Sequence, residues 1–99
     1  MIKKKINFAN EYDFEGRSIT SCELRKPKLK DRNQALKIAR ANGFNEEETE
    51  ALIYSNLTEL PLEFINEEIY QEDYNKITSV YLDFLGLDPS KLLTQLPTS

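Results

Sequence analysis

Residues 19–31, ITSCELRKPKLKD, decide the fold, because an extended segment there meets a proline and then the start of a helix. Proline has no backbone N–H to donate to a strand, and it disfavours helical backbone at the residue before it. The strand is therefore expected to end near Arg25 or Lys26, and a helix to begin at about 29–31. The join at Pro27 predicts a hairpin first and helices afterwards.

The residues on either side of the first turn alternate as a strand with one buried face requires. The apolar positions of one parity are Ile6, Phe8, Tyr12 and Phe14. Glu15-Gly16 predicts the turn, because glycine adopts positive φ at no steric cost. The return strand carries Ile19, Cys22 and Leu24. The step of three from Ile19 to Cys22 breaks the alternation, so Ile19 is expected at the turn end or at a bulge.

The first two helices have clear ends. Gly43 is placed to end the first helix after Asn42, in the left-handed conformation. Asn45 and Glu48 have the spacing of a capping box, which predicts the start of the second helix, and Pro61 ends it or begins another. The expected buried faces are Ala35, Leu36 and Ala39, flanked by Ile38, in the first helix and Ile53, Leu57 and Leu60, flanked by Leu52 and Tyr54, in the second.

The last long helix carries an amphipathic stripe. After a short helix or turn over 62–68, a helix is expected over 71–85, ending before Gly86. Its stripe consists of Tyr70, Tyr74, Ile77, Tyr81 and Phe84, with Val80 and Leu85 alongside. Asp88-Pro89 then predicts a short C-terminal helix, since Asp caps a helix and Pro is tolerated in its first turn. The last residues are expected to fray.

Length and composition predict one domain over 1–99 with an α+β fold: a β-hairpin at 1–26, a three- to four-helix part at 27–86, and a short helix and tail at 87–99. Of the 99 residues, 39% are hydrophobic and 30% charged, which is typical of a globular domain. No apolar run is long enough for a transmembrane helix or a signal peptide. A single cysteine fits a reducing cytoplasm.

Charge is divided between the two halves of the chain. Residues 1–42 hold 11 basic and 5 acidic residues, a balance of +6, whereas 43–99 hold 2 and 12, a balance of −10. The basic patch is Arg25, Lys26, Lys28, Lys30, Arg32, Lys37 and Arg40. Such a cluster suggests a small nucleic-acid-associated regulator. However, the pI is about 4.9, and no aromatic residue stands among these basic residues to stack on bases, so we expect no nucleic-acid partner.

Nothing in the chain predicts catalysis, a cofactor or a metal site. There is no histidine to act as a base near neutral pH, and three glycines do not form a phosphate-binding loop. Cys22 lies in a strand pattern, as a small apolar residue would. The acidic run at 46–50 lacks the alternating oxygen ligands of a calcium loop. Glu72-Asp73 is interpreted as part of a solvated helical surface, and Lys3-Lys4-Lys5 as a charged edge strand.

Several leucines lie away from the main stripes. They are Leu82, Leu87, Leu92, Leu93 and Leu96. An exposed apolar patch on a small protein usually marks a partner surface, so these are the candidate partner-binding residues. The alternative is that the last helix folds back and covers the core. An open edge of the hairpin would in addition favour a homo-oligomer.

The order of these pieces resembles a known family. The pieces are Ile6-Asn7-Phe8, Glu15-Gly16, Ile19-Thr20 with Cys22, Leu24-Arg25, Pro27, Leu60-Pro61, Asp73-Tyr74 and Phe84-Leu85-Gly86. Over about 6–86 the chain is similar to the small tail assembly chaperones of contractile-tailed, Mu-like phages. It departs from them at Cys22, where a larger aliphatic residue is usual, and in its lysine-rich start.

The resemblance implies a protein that coats the helical tape measure protein of a phage and keeps it soluble until the tail tube polymerises around it. The expected mode is helix-in-groove binding in the cytoplasm of a bacterial host, with no nucleotide and no membrane. A longer, frameshifted form of the same chain is a further partner that the resemblance implies.

Overall fold

The computed structural model describes residues 2–87, which form a β-hairpin followed by four helices. The elements are β1 (Lys3–Phe14), β2 (Arg17–Arg25), α1 (Leu29–Asn42), α2 (Glu46–Thr58), α3 (Leu62–Glu67) and α4 (Gln71–Phe84). The predicted α+β fold class is therefore confirmed. The predicted short helix with Leu92, Leu93 and Leu96 lies outside the described residues.

The hairpin is antiparallel and irregular near its middle. Its turn has positive φ at both Glu15 and Gly16, at 50° and 77°. Ile19 pairs with Tyr12, but the register shifts beyond this pair, so that residues 8–11 of β1 stand where β2 has only Thr20. The irregularity lies beside Ile19, where the broken alternation predicts it. Most of its extra residues belong to β1, whose backbone bends away from the ladder.

The helix ends follow the local signals. Gly43 closes α1 in the left-handed conformation, at φ 67°. At the start of α2 the Asn45 side chain accepts the Glu48 N–H at 2.8 Å, and the Glu48 carboxylate accepts the Asn45 N–H at 3.2 Å. This confirms the predicted capping box. Pro61 is the N-cap of α3, and α2 ends before it through Glu59, which adopts a positive φ of 63°.

One face of the hairpin packs on α2, α3 and α4. The largest fully buried apolar side chains come from four different elements: Leu24, Tyr54, Leu57, Phe64 and Ile77. The helix α1 packs on α2 through Ala35 and Ala39, whose small side chains are both buried. A core shared between a hairpin and three helices stabilises a hairpin that would be marginal alone.

The predicted helix faces need two corrections. In α2 the centre of the buried face is Tyr54, 1% exposed, whereas Ile53 is only partly buried. The reason is that α2 contacts α1, α3 and β2 together, so its buried face is wider than one stripe. In α4 the buried centre is Ile77, whereas Tyr70 precedes the helix as its N-cap and is largely exposed.

Candidate partner-binding groove

A buried carboxylate on α4 holds the irregular part of β1. Asp73 is fully buried, and its Oδ1 accepts the Ala9 N–H at 2.7 Å. Its Oδ2 accepts the Tyr12 hydroxyl at 2.6 Å and the Asn10 side-chain amide at 3.0 Å. The prediction of a solvated surface at Glu72-Asp73 is wrong for Asp73, because the bend of β1 frees backbone N–H groups that this carboxylate satisfies.

The charge state of this carboxylate fits a structural role. Burial acts to raise the pKa of Asp73, but the hydrogen bonds from Tyr12, Ala9 and Asn10 outweigh it and lower the pKa. Burial and the hydrogen bond to Asp73 raise the pKa of Tyr12 to about 12. The Tyr12 hydroxyl also accepts the Tyr70 N–H at 3.1 Å. An ionised carboxylate with all its donors in place stabilises the contact between β1 and α4.

A second carboxylate, that of Asp31, pairs with one residue of the basic patch. The Arg25 guanidinium donates two hydrogen bonds to Asp31, at 2.9 and 3.0 Å. Asp31 also accepts the Lys28 N–H at 2.8 Å, and the pKa of Asp31 is lowered, chiefly by the bond from Arg25. Arg25 therefore joins the end of β2 to the first turn of α1, and its charge is already paired.

The other six residues of the basic patch remain on the surface. Lys26, Lys28, Lys30, Arg32, Lys37 and Arg40 are all exposed. They lie on the segment before α1 and along α1 itself, and residues 25–40 contain no aromatic side chain. Such a surface can contact phosphates, but it has no platform on which bases can stack.

An apolar groove of about 400 Å³ lies between α1 and α2 and reaches α4. Its apolar lining consists of Leu36, Ala39, Phe44, Ile53, Tyr54 and Tyr81. Leu36, Phe44, Ile53 and Tyr81 are each only partly buried, so the groove presents apolar surface to solvent. A concave apolar surface of this kind is typical of a binding site for an apolar partner.

Aromatic side chains form the floor and one end of the groove. The Tyr54 ring lies 5.3 Å from the Tyr81 ring and 5.4 Å from the Tyr74 ring, centroid to centroid. The Tyr54 hydroxyl donates to the Thr78 hydroxyl at 3.1 Å, which fixes the ring that joins α2 to α4. At the turn after α1, the Phe44 N–H donates to the Ala39 carbonyl at 2.9 Å and places Phe44 at the end of the groove.

Of the predicted partner-binding leucines, the two that lie within residues 2–87, Leu82 and Leu87, do not line this groove. Leu82 is partly buried on α4, and Leu87 is 42% exposed just after that helix. Leu92, Leu93 and Leu96 lie outside the described residues, so the role of these five residues in binding stays a prediction.

Helical spacing predicts that Leu36, Ile53 and Tyr81 belong to buried stripes, whereas in the structure they line the groove and are only partly buried. The available signal was Phe44, an apolar residue in the short connection between Gly43 and Asn45. A large apolar side chain in such a connection must pack on a neighbouring helix or remain exposed.

Outside the groove, residues 2–87 carry many acidic side chains and one cysteine. No group of three or more acidic, cysteine or histidine side chains is arranged there to hold a metal ion. Burial raises the pKa of the Cys22 thiol to about 12, so the thiol stays protonated near neutral pH. None of the helices in this range has the length and apolar content to cross a membrane.

Comparisons of the chain with family models, with characterised proteins and with solved structures find no match.

Proposed function

We propose that this chain is a non-enzymatic tail assembly chaperone of a contractile-tailed phage or prophage. It binds the tape measure protein in the cytoplasm of the bacterial host and keeps it soluble until the tail tube assembles. The observation that carries the proposal is the apolar groove between α1 and α2, with partly exposed Leu36, Ile53 and Tyr81. The identity of the bound protein, the tape measure protein, is what the family resemblance over 6–86 implies.

The groove suits the physical problem that such a client poses. A long helix with apolar surface self-associates in water unless another apolar surface covers it. An amphipathic helix laid in a groove buries side chains at i, i+3 or i+4, and i+7. Leu36 and Ile53 supply an aliphatic wall on each side, and Tyr81 extends the apolar surface onto a third helix. Binding of this kind needs no nucleotide.

A role without catalysis fits the state of the buried titratable groups. Asp73 and Asp31 accept hydrogen bonds from fixed donors, and the pKa of each carboxyl is lowered. A general acid or base near neutral pH instead needs a pKa close to that pH. We therefore assign both carboxylates to the fold and the binding function to the groove.

The edges of the hairpin support a homo-oligomer as part of the proposal. The edge of β1 is covered by α4, where the Lys76 ammonium donates to the Asn7 carbonyl at 3.1 Å. The Lys26 N–H donates to the Ile2 carbonyl at 2.9 Å, and the alternation of an antiparallel ladder then turns the backbone groups of Ser21 and Glu23 away from β1. An outward edge of this kind can pair with another copy or with a longer, frameshifted form.

A small nucleic-acid-associated regulator is the second candidate. It is favoured by the six basic side chains that remain exposed between Lys26 and Arg40. Binding through these residues would weaken steeply with salt, because phosphate contacts release counterions. Client binding in an apolar groove would instead give a negative heat-capacity change and little salt dependence.

Co-expression with the tape measure protein encoded in the same phage or prophage tests the proposal. We expect a soluble complex that survives size-exclusion chromatography with light scattering. Leu36→Asp should abolish the complex, and Ile38→Asp should keep it, since Ile38 lies on the same helix, is 44% exposed and does not line the groove. Leu36→Ala, with circular dichroism of each variant, separates lost binding from lost folding.

The outcomes distinguish three cases. If the wild-type chain leaves the client insoluble and unbound, the chaperone function is wrong and the salt dependence of nucleic-acid binding becomes the next measurement. If the complex forms but resists Leu36→Asp, the groove is not the client site. In that case Leu82→Asp and Leu87→Asp test the surface that the sequence predicts.

A further inference from the structure

The two walls of the groove carry opposite charges. Arg40 stands on the α1 wall, and Glu46 and Glu50 stand on the α2 wall. All three side chains are exposed, and each borders the apolar lining rather than lying within it. The groove therefore has a basic rim on one side and an acidic rim on the other.

The same opposition continues to the α4 end of the groove. The pKa of Tyr81 is raised, first by burial and also by Glu50, whereas Arg32 acts to lower it. The charges of Arg32 on α1 and Glu50 on α2 therefore both act on the Tyr81 hydroxyl. The Tyr74 hydroxyl donates to the Glu50 carboxylate at 2.6 Å, which fixes the position of that charge on the rim.

The opposed rims result from the division of charge along the chain. Residues 1–42 are basic on balance and 43–99 are acidic, and Gly43 turns the chain at the boundary between them. Because α1 and α2 lie on either side of this turn and pack together, the two halves of the charge distribution become two sides of one groove.

We propose that the groove selects an amphipathic helix whose apolar stripe is flanked by carboxylates on one side and by basic residues on the other. This inference rests on the proposed function and states the charge pattern of the client segment. The carboxylate flank lies against Arg40, and the basic flank lies against Glu46 and Glu50. A helix with two acidic or two basic flanks meets one rim of like charge, which lowers its affinity.

Synthetic helical peptides test this selection directly. Three peptides share one apolar stripe and one length, and they carry an acidic and a basic flank, two acidic flanks, or two basic flanks. We expect the mixed peptide to bind the wild-type chain about fivefold more tightly than either of the others, as calorimetry measures it. The difference should vanish near 1 M salt, where exposed charges are screened.

Matched charge reversals sharpen the test. Arg40→Glu makes both rims acidic, so this variant should prefer the peptide with two basic flanks. Glu46→Lys makes the α2 rim more basic and should shift the preference towards two acidic flanks. Glu46 is chosen because Glu50 is hydrogen-bonded to Tyr74. Lys30→Glu is the control, because Lys30 is an exposed basic residue of α1 outside the groove lining, and it should leave the preference unchanged.

Equal affinity for the three peptides overturns the selection rule. A second copy of the chain as the occupant of the groove also overturns the rule. In that case the Arg40→Glu variant and the Glu46→Lys variant would each be monomeric alone and would form a dimer when mixed, which light scattering would detect. The proposed function is judged separately by the tape measure protein. If the client is captured and the peptides are not distinguished, only the inference fails; if the peptides are distinguished and the client is not bound, only the function fails.

Discussion

Two buried carboxylates tie the hairpin to helices, and they do so in different ways. Asp31 holds the end of β2 to α1 through the charged guanidinium of Arg25, six residues away. Asp73 holds the middle of β1 to α4 through neutral donors only, at separations of 61 to 64 residues. The first contact joins neighbours in the chain, whereas the second closes the fold.

The difference shows how a small domain can bury a carboxylate whose hydrogen-bond donors are all neutral. Several hydrogen bonds from neutral donors keep Asp73 ionised despite full burial, and the pKa of this carboxyl stays below its ordinary value. The lysine nearest to it, Lys76, lies 4.0 Å away and remains exposed. The Asp73 contact therefore depends on the exact placement of a bent strand, whereas the Asp31 contact depends on one ion pair.

Removal of Asp73 is expected to have the largest effect. Asp73→Ala leaves the Tyr12 hydroxyl and the amides of Ala9 and Asn10 without an acceptor, which should lower the free energy of unfolding by about 3 kcal/mol. Urea denaturation measures the change, and Ser79→Ala, at an exposed position of the same helix, should cost less than about 0.5 kcal/mol. An equal loss of unfolding free energy in the two variants would mean that the buried contact does not stabilise the fold.

Loss of the ion pair should cost less. Arg25→Ala leaves Asp31 with the Lys28 N–H as its remaining hydrogen-bond donor, and we expect a loss of about 2 kcal/mol in the free energy of unfolding. Arg25→Lys should recover only part of the lost stability, because an ammonium group keeps the charge but cannot donate the two parallel bonds. The comparison breaks down if Arg25→Ala destabilises the chain more than Asp73→Ala does.

Removal of the Tyr12 hydroxyl measures the contribution of one neutral donor to the Asp73 contact. Tyr12→Phe removes the bond to Asp73 and the acceptor for the Tyr70 N–H while it keeps the ring in the core. The expected loss is about 1.5 kcal/mol in the free energy of unfolding. Tyr70→Phe is the matched control, since that ring is 61% exposed and its loss should be near zero. A Tyr12→Phe variant as stable as the wild-type chain would contradict a structural role for the hydroxyl.

Acid should weaken both contacts, with the smallest effect near neutral pH. Each carboxyl has a pKa below its ordinary value of 3.8, so the unfolded chain takes up a proton before the folded chain does. Stability is therefore constant above about pH 5 and falls as the pH drops through the lowered pKa values. Unfolding free energies measured between about pH 6 and pH 2 should fall less steeply in Asp73→Asn and in Asp31→Asn. A slope unchanged in both variants would show that other groups govern acid unfolding.

Much of the local structure could be predicted from the sequence because its causes lie within a few residues. The alternation of Ile6, Phe8, Tyr12 and Phe14 gives the buried face of β1, and the capping box of Asn45 and Glu48 begins α2. The broken alternation at Ile19 predicts the irregular register. Even the Arg25–Asp31 contact belongs to this class, since proline and a helix start bring the two residues together.

The buried faces of the helices could be predicted only in part. Helical spacing identifies which apolar residues share a side, but α2 is covered from three directions, and Tyr54 rather than Ile53 becomes its centre. The same spacing assigned Leu36, Ile53 and Tyr81 to the core, although they line an open groove. Periodicity does not tell how far two neighbouring helices separate at their ends.

The sequence by itself determined the order of hairpin and helices, the positions at which they end, and the division of charge at Gly43. These follow from backbone preferences and from contacts between residues close in the chain. Only the tertiary structure decided that Asp73 is buried and that α1 and α2 enclose a groove with opposite rims. Burial of one side of a helix depends on the element packed against it, and for Asp73 that element is a bent strand more than sixty residues away.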